Sequence, residues 1–334
     1  MNMLTDSYKI VLCITGLVIT GSSCGIIKPN LVMIYTSLYF LQIMTSIQFV
    51  IFYGICYLCI AKQNISFPKK HIKTIFLCGL FNSLVSIFMI YSVNPKRTPI
   101  LIQSLFIGSI ILPSVITRKI LIKRVIRYNI YYISASVALL LISISISIIP
   151  LYSKWTIMSF LWSLMYALGV IFMAIYNVLQ EKYLVDDTGD TSINNKLCLM
   201  FYVRIFQFII LSTCFWLEYF IGYSKDINPF VLFYDNLKIM FTDYIAFILL
   251  ESFIIAYIML YWISVYLNSI STNYNMISST IIYPLITIFF TIFHQLNPGI
   301  KFPLYIIIPS LALSILSTIL WIKGERTTNY KSLN

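Results

Sequence analysis

A charged residue inside an apolar run is the first feature of this sequence that could do chemistry. Arg204 lies in FYVRIFQFII (201 to 210), and Gln207 follows three residues later, on the same face of a helix. If that helix starts near Leu197, Arg204 lies about 10 Å deep in a membrane. One interpretation places this fixed positive charge near an anionic group of a substrate or near a gating carboxylate. In the other, the long side chain reaches interfacial water.

A carboxyl group in a second apolar run could carry protons. Glu251 is the one acidic residue well inside the run from 244 to 267. A carboxyl group in an apolar medium can bind a proton on one side of a membrane and release it on the other. We interpret Glu251 as a candidate proton-coupling residue, and the alternative is an ordinary carboxylate near a helix end, facing the lumen.

Uncharged polar side chains inside other apolar runs complete the candidate substrate-binding set. Gln103 and Ser104 begin a run that also contains Pro113, and a proline inside a spanning helix frees carbonyl groups that can line a cavity. These side chains either line a cavity or join helices by hydrogen bonds. The full set is Asn82, Gln103, Ser104, Asn177, Arg204, Gln207, Ser278 and Ser279.

The residue types that catalysis or metal binding requires are not gathered in one place along the chain. The two histidines, His71 and His294, are far apart, and the Cys56 and Cys59 pair lacks two further ligands nearby for a zinc ion. Most of the seven cysteines fall in apolar runs, which argues against a disulfide framework. The sequence therefore predicts no catalytic residue, no metal, no cofactor and no enzymatic activity.

The composition places these residues in a membrane. Of the 334 residues, 60% are hydrophobic and only 10% are charged, with a mean hydropathy of +0.89, whereas soluble domains carry about 25% charged residues. The net charge of +12 is what basic loops on one side of a membrane produce, so it does not indicate nucleic-acid binding. No linker or long repeat interrupts the chain, and we expect one domain over 1–334.

Ten apolar runs are long enough to cross a bilayer as helices, because a crossing needs about 20 residues. An open strand cannot satisfy its backbone in lipid, so the fold class is an all-α integral membrane protein. Five helices followed by five, 1–150 and 151–334, predict two inverted repeats with a cavity between them. The predicted spans are 8 to 27, 36 to 61, 72 to 93, 98 to 117, 128 to 150, 155 to 180, 197 to 222, 244 to 267, 273 to 294 and 303 to 322.

The lysines and arginines between these spans predict the orientation. Basic clusters at 69–73 and 118–127 fall in connections on the same side as both termini, and that side holds most of the basic residues. The positive-inside rule then places both termini in the cytosol.

Four motifs, in order along the chain, resemble one transporter family. The segment 81–126 contains TPILIQS (98 to 104), a proline about ten residues later and a basic end. The other three are YNVLQEKYL (176 to 184), RIFQF (204 to 208) and TNYNMISSTIIYP (272 to 284). Together they resemble the chloroquine-resistance transporter family of the drug/metabolite transporter superfamily, from its third helix to its tenth.

The resemblance implies a function that the residues alone do not define. It implies a secondary active transporter that exports amino acids, short peptides or cationic amphiphiles from an acidic, vacuole-like or lysosome-like organelle by alternating access, driven by protons. Its partners would be a small-molecule substrate and membrane lipid, with no nucleic acid, and the chain would be a monomer or weak dimer. A carrier of glutathione-like thiols or of nucleotide sugars is the first alternative. A membrane scaffold without transport activity or a lipid-modifying enzyme is the second.

Overall fold

The protein is a helical bundle. The computed structural model describes residues 3–61, 68–122, 129–148, 156–222, 227–293 and 303–329, and these contain α-helices and short helical turns but no strand. The α-helices are α1 Met3–Ile34, α2 Leu38–Ala61, α3 Ile72–Ser92, α4 Ile100–Gly108, α5 Ile111–Leu121, α6 Ile130–Ile148, α7 Ile157–Glu181, α8 Ile193–Ser212, α9 Trp216–Ile221, α10 Pro229–Thr242, α11 Tyr244–Asn268, α12 Thr272–Ile292 and α13 Leu304–Asn329.

The prediction of ten spans is confirmed within the described ranges. Ten helical segments are long and apolar enough to cross a membrane, and α4 with α5 forms one of them. The first span reaches Ile34 instead of residue 27, and the seventh ends at Ser212 instead of residue 222. The predicted ends at 128, 149–150, 155 and 294, and with them the boundary at 150 and 151, lie outside the described residues. The protein is therefore a multi-pass integral membrane protein.

The fourth span is not the single helix that the sequence predicts. It breaks between α4 and α5, at Ser109 and Ile110. Pro113 causes the break, because it has no N–H for the carbonyl of Ser109 and its ring excludes that carbonyl. The Ser109 carbonyl instead accepts a hydrogen bond from the Leu112 N–H at 3.0 Å.

The helices pair as two inverted halves of five spans should. In such an arrangement each span corresponds to the span five places later: α1 to α7, α2 to α8, α3 to α11, α4 with α5 to α12, and α6 to α13. The contact of α3 with α7 then has its counterpart in the contact of α11 with α1. The contact of α1 with α12 has its counterpart in the contact of α7 with α4 and α5. Three further contacts, α2–α8, α6–α13 and α4–α12, join a span to its own counterpart. Because ten crossings return the chain to the side where it began, we call that side the terminal side and the other the opposite side.

One pair of corresponding contacts differs between the halves. α3 packs closely along α8, where a Cβ added to Gly79 would lie 2.6 Å from Cβ of Phe206 and 3.2 Å from the carbonyl oxygen of Val203. The counterpart contact, α2 against α11, is loose in the sense that the two backbones lie farther apart. Side chains bridge the gap, for example the Tyr53 hydroxyl, which donates to the Ile258 carbonyl at 2.9 Å. The two halves therefore have different packing around an otherwise similar arrangement.

A buried carboxyl group fixes the start of α2 on the opposite side. Glu218, in α9, accepts hydrogen bonds from the N–H groups of Leu38 and Tyr39 and from the Tyr91 hydroxyl. Such a group at a helix N-terminus satisfies donors that lack an intrahelical partner. Burial raises the pKa of the Glu218 carboxyl above its ordinary value, while the same hydrogen bonds act to lower it.

Candidate functional site

Three cavities adjoin inside the bundle and share one lysine. Their volumes are about 140, 50 and 40 Å³, and Lys28 of α1 lines all three. We call them the main, second and third cavities. The main cavity is bounded by α1 and α3 from the first half and by α7, α11 and α12 from the second half. Both halves therefore contribute to its wall.

The main cavity has polar and aromatic groups on an otherwise apolar lining. Cys24 lies one helical turn before Lys28, and its side chain also lines this cavity. The polar and aromatic residues of the lining are Lys28, Asn82, Ser86, Tyr176, Asn177, Phe253, Tyr257, Tyr261, Ser264, Asn275 and Ser279. A mostly apolar pocket with a few placed polar groups is typical of a small-molecule site.

Arg204 is buried in the bundle and lines the second cavity. Only 1% of the residue is exposed, so the interpretation in which it reaches interfacial water is wrong. α8 begins at Ile193 rather than Leu197, which puts Arg204 about 16 Å along the helix, near mid-membrane. Its guanidinium carbon lies 3.7 Å from the ring centre of Tyr261 and 4.5 Å from that of Phe49. These rings provide cation–π contacts.

A hydrogen-bond network connects Arg204 to the main cavity. The Arg204 Nη1 donates to Oε1 of Gln207 (2.5 Å), and the same oxygen accepts from Nδ2 of Asn82 (2.7 Å). Oδ1 of Asn82 accepts from the Tyr261 hydroxyl at 3.1 Å, and Nε2 of Gln207 donates to Ser86 at 2.9 Å. The predicted residues Asn82, Arg204 and Gln207 are thus brought together, and Tyr261 and Ser86 join them.

A cluster of amide side chains lies toward the terminal side of the main cavity. Oδ1 of Asn177 accepts from Nδ2 of Asn268 (3.2 Å) and from Nδ2 of Asn275 (3.1 Å). Asn275 also donates to Ser264 at 2.7 Å, and Asn268 donates to Gln180 at 2.7 Å. The predicted Asn177 therefore lines the cavity and also joins α7 to α11 and α12.

An ion pair lies one helical turn beyond this amide cluster. Nη2 of Arg118 is 3.3 Å from Oε1 of Glu181, and both side chains are buried. Oε2 of Glu181 accepts from the backbone N–H of Thr272 at 3.0 Å, and Nη1 of Arg118 donates to Asn273 at 2.7 Å. The pair joins α5, α7 and the start of α12 at the terminal side. The predicted fourth span ends at residue 117, which would put Arg118 in a loop, and no role is predicted for Glu181.

Lys28 is the main site residue that was not predicted from the sequence. The predicted first span ends at residue 27, which would put Lys28 in a loop on the opposite side. α1 instead continues through Pro29 to Ile34. The signal was available, because the sequence stays mostly apolar after Pro29 and a spanning helix tolerates proline when neighbouring groups satisfy the backbone.

The predicted pair Gln103 and Ser104 lines the third cavity. Nε2 of Gln103 donates to the carbonyl oxygens of Val93 (2.8 Å) and Thr98 (2.7 Å), and it thereby holds the connection between α3 and α4. The Ser104 hydroxyl contacts the hydroxyl of Thr287 on α12. Both residues therefore face a cavity and also make contacts that hold the fold.

Of the remaining predicted residues, one lines the main cavity and two line none of the three cavities. Ser279 lines the main cavity, whereas Ser278 lines none of the three and donates to the Tyr274 carbonyl of its own helix. Glu251 is half-buried, lines none of the three, and accepts a hydrogen bond from Nε2 of Gln48 at 2.7 Å. It lies at the loose α2–α11 contact and makes no ion pair with Arg204.

In the part of the chain that the structure describes, no group of three or more His, Cys, Asp or Glu side chains is placed to hold a metal ion.

No protein-family model matches the sequence, and no curated protein matches it. Among solved structures, 17 chains match. One, described as "Crystal structure of protein", is 12% identical with a TM-score of 0.53, over 92% of this chain and 98% of that one. At this identity the likeness shows the fold alone.

Proposed function

We propose that the protein is a secondary carrier that moves a small organic solute across a membrane by alternating access. The observation that carries the proposal is the main cavity, which lies inside the bundle and is lined by helices of both halves. In carriers built from inverted repeats, the substrate site lies at the interface of the repeats, near the middle of the membrane. A scaffold has no need of polar side chains in such a place.

The unequal packing of the halves supports alternation between two states. α3 packs closely along α8, while α2 and α11, the corresponding pair, are loosely packed. Exchanging these two arrangements would give a second state in which α2 packs closely along α11 and α3 lies farther from α8. In the present state the Arg118–Glu181 pair joins three spans at the terminal side, and Glu218 joins α9 to α2 and α3 at the opposite side.

The resemblance described above adds finer parts to the proposal. We propose that the carrier lies in a vacuolar or lysosome-like membrane with both termini in the cytosol, and that it exports amino acids, short peptides or related solutes driven by protons. Glu251 is proposed as the coupling carboxyl group, because it is half-buried at the loose α2–α11 contact, where the packing must change between states.

Transport into proteoliposomes with an imposed pH gradient tests the function. Labelled amino acids and short peptides are offered to the purified protein, and gradient-dependent uptake is the expected result. Glu251→Gln should remove the dependence on the gradient while the hydrogen bond with Gln48 is kept. The control is Asp235→Asn on the exposed face of α10, which should leave uptake unchanged.

Two outcomes would contradict parts of this proposal. The carrier function would be excluded if the protein binds ligand and unfolds cooperatively but takes up no solute. Uptake by Glu251→Gln with an unaltered response to the gradient would exclude Glu251 as the coupling residue and leave the carrier function standing.

A further inference from the structure

We propose that Lys28 and Arg204 form an anion-binding subsite that holds an acidic group of the cargo. The proposal rests on the proposed carrier function and names the chemistry of what is carried. Both side chains line the second cavity, and Lys28 also faces the main cavity. The two positive charges come from helices of different halves, α1 and α8.

Lys28 lies inside the membrane without a counter-ion. It stands about 9 Å along α1 from the end of that helix at the opposite side. Within the described residues its amine makes no hydrogen bond and no ion pair. An ammonium group carries three donors, and in an apolar medium it is costly unless these are used.

Arg204 also keeps unused donors. One of its nitrogens donates to Gln207, but Nε and Nη2 have no hydrogen-bond partner among the described residues. Its nearest neighbours are the rings of Tyr261 and Phe49, which attract a cation but accept no strong hydrogen bond. The guanidinium fork is shaped to bind a carboxylate or a phosphate with two parallel hydrogen bonds.

The described part of the bundle supplies no negative charge to either cation. Buried charges are normally paired, and in the described parts of the bundle no acidic side chain pairs with Lys28 or Arg204. An acidic group between them would compensate both charges at once. The aromatic side chains beside them, Phe253 and Tyr257, would then contact the organic part of the cargo.

This inference narrows the cargo to a small organic acid. Carboxylates of amino acids or peptides and phosphate esters share the required chemistry, whereas a cationic amphiphile without an acid group would be repelled by both residues. The cationic amphiphiles that the family resemblance implies are therefore not the expected cargo.

Matched probes measure whether the acid group is recognised. Binding to the purified full chain is measured by calorimetry with glycyl-phenylalanine and with its amide, which differ in the carboxylate, and with phenyl phosphate beside phenol. We expect at least one acid to bind about tenfold or more tightly than its neutral partner, since a hydrogen bond to a charged group is lost. The acid that binds more tightly shows whether the subsite prefers a carboxylate or a phosphate.

Substitutions test the two residues separately. Lys28→Met and Arg204→Met should each remove the preference for the acid, while Lys28→Arg and Arg204→Lys should keep most of it. Lys119→Met, at an exposed position on α5, is the matched control and should bind like the parent chain. Folding of each variant is checked by its thermal unfolding midpoint.

The subsite is excluded if acids and their neutral partners bind equally to the parent chain, or if both Met variants keep the preference. Uptake of the same probes in proteoliposomes separates the two proposals. Acid-selective binding without any uptake would retain the subsite and reject the carrier, whereas uptake without acid selectivity would retain the carrier and reject the subsite.

Discussion

Two buried arginines in this bundle, Arg118 and Arg204, differ in whether an acidic side chain pairs with them. Arg118, at the terminal side, donates to Asn273 and Ser271 and is paired with Glu181, whose second oxygen accepts from Thr272. Arg204, at mid-membrane, has one hydrogen bond, two aromatic neighbours and no acidic partner in the described chain.

The difference separates a charge that holds the fold from one that is available to a ligand. A buried ion pair whose two partners also make hydrogen bonds to other helices joins the helices that carry it, and removing one partner leaves the other uncompensated. A buried cation that faces a cavity has no such partner to lose. Stability should therefore depend strongly on Arg118 and weakly on Arg204, and ligand binding should show the reverse.

The largest expected effect on stability is that of Arg118→Met. It leaves the Glu181 carboxylate buried without its counter-ion, and breaking a buried pair in this way costs about 3–5 kcal/mol. The thermal unfolding midpoint of the detergent-solubilised protein should fall accordingly. In the double variant Arg118→Met with Glu181→Met, no lone charge remains, so part of the loss should be recovered. An unchanged midpoint in the single variant would show that the pair contributes little.

A much smaller loss of stability is expected for Arg204→Met. The cation–π contacts with Tyr261 and Phe49 contribute up to about 2 kcal/mol when desolvated, but removing an uncompensated charge from the membrane interior offsets this. We expect the unfolding free energy to change by about 1 kcal/mol or less, measured beside Arg118→Met under the same conditions. A loss of stability as large as that of Arg118→Met would mean that Arg204, like Arg118, holds the fold together. The distinction between the two arginines would then be wrong.

The smallest expected effect on acid binding is that of Tyr261→Phe, which tests the surroundings of Arg204 without removing its charge. The ring remains over the guanidinium, but the hydrogen bond to Asn82 is lost, at a cost of about 0.5–1.5 kcal/mol. Acid binding should persist, because both cations stay in place. If Tyr261→Phe removed the preference for the acid, the hydroxyl rather than the cations would be recognising the ligand.

The sequence predicts the architecture well because lipid imposes a length and an apolar composition on every span. The ten spans are confirmed, and the helical periodicity placed Arg204 and Gln207 correctly on one face. The depth predicted for Arg204 in the membrane is too shallow, because α8 starts four residues earlier than its apolar run suggests. Polar residues such as Asn194 and Lys196 begin this helix before the strongly hydrophobic segment.

Which polar residues meet across helices could not be read from the sequence. Hydropathy ends a span at the first charged residue, so Lys28 was assigned to a loop and Arg118 to a basic cluster. Arg118 is buried and Lys28 is half-buried, because other helices cover them, and this depends on packing between distant parts of the chain. Ser278 and Ser279 show the same limit, since neighbouring serines on one helix differ only in which side faces the cavity.

The thiol of Cys24 gives the protein a built-in chemical reporter. It lies on the cavity wall one turn from Lys28, whereas Cys59 is exposed on the outer face of α2. A negatively charged thiol reagent that enters the cavity should be drawn to Lys28 and label Cys24 faster than a positively charged reagent of the same size. Cargo that occupies the cavity should slow this labelling. If the proposed carrier function holds, the rate of alkylation from each side of the membrane would record to which side the cavity is open.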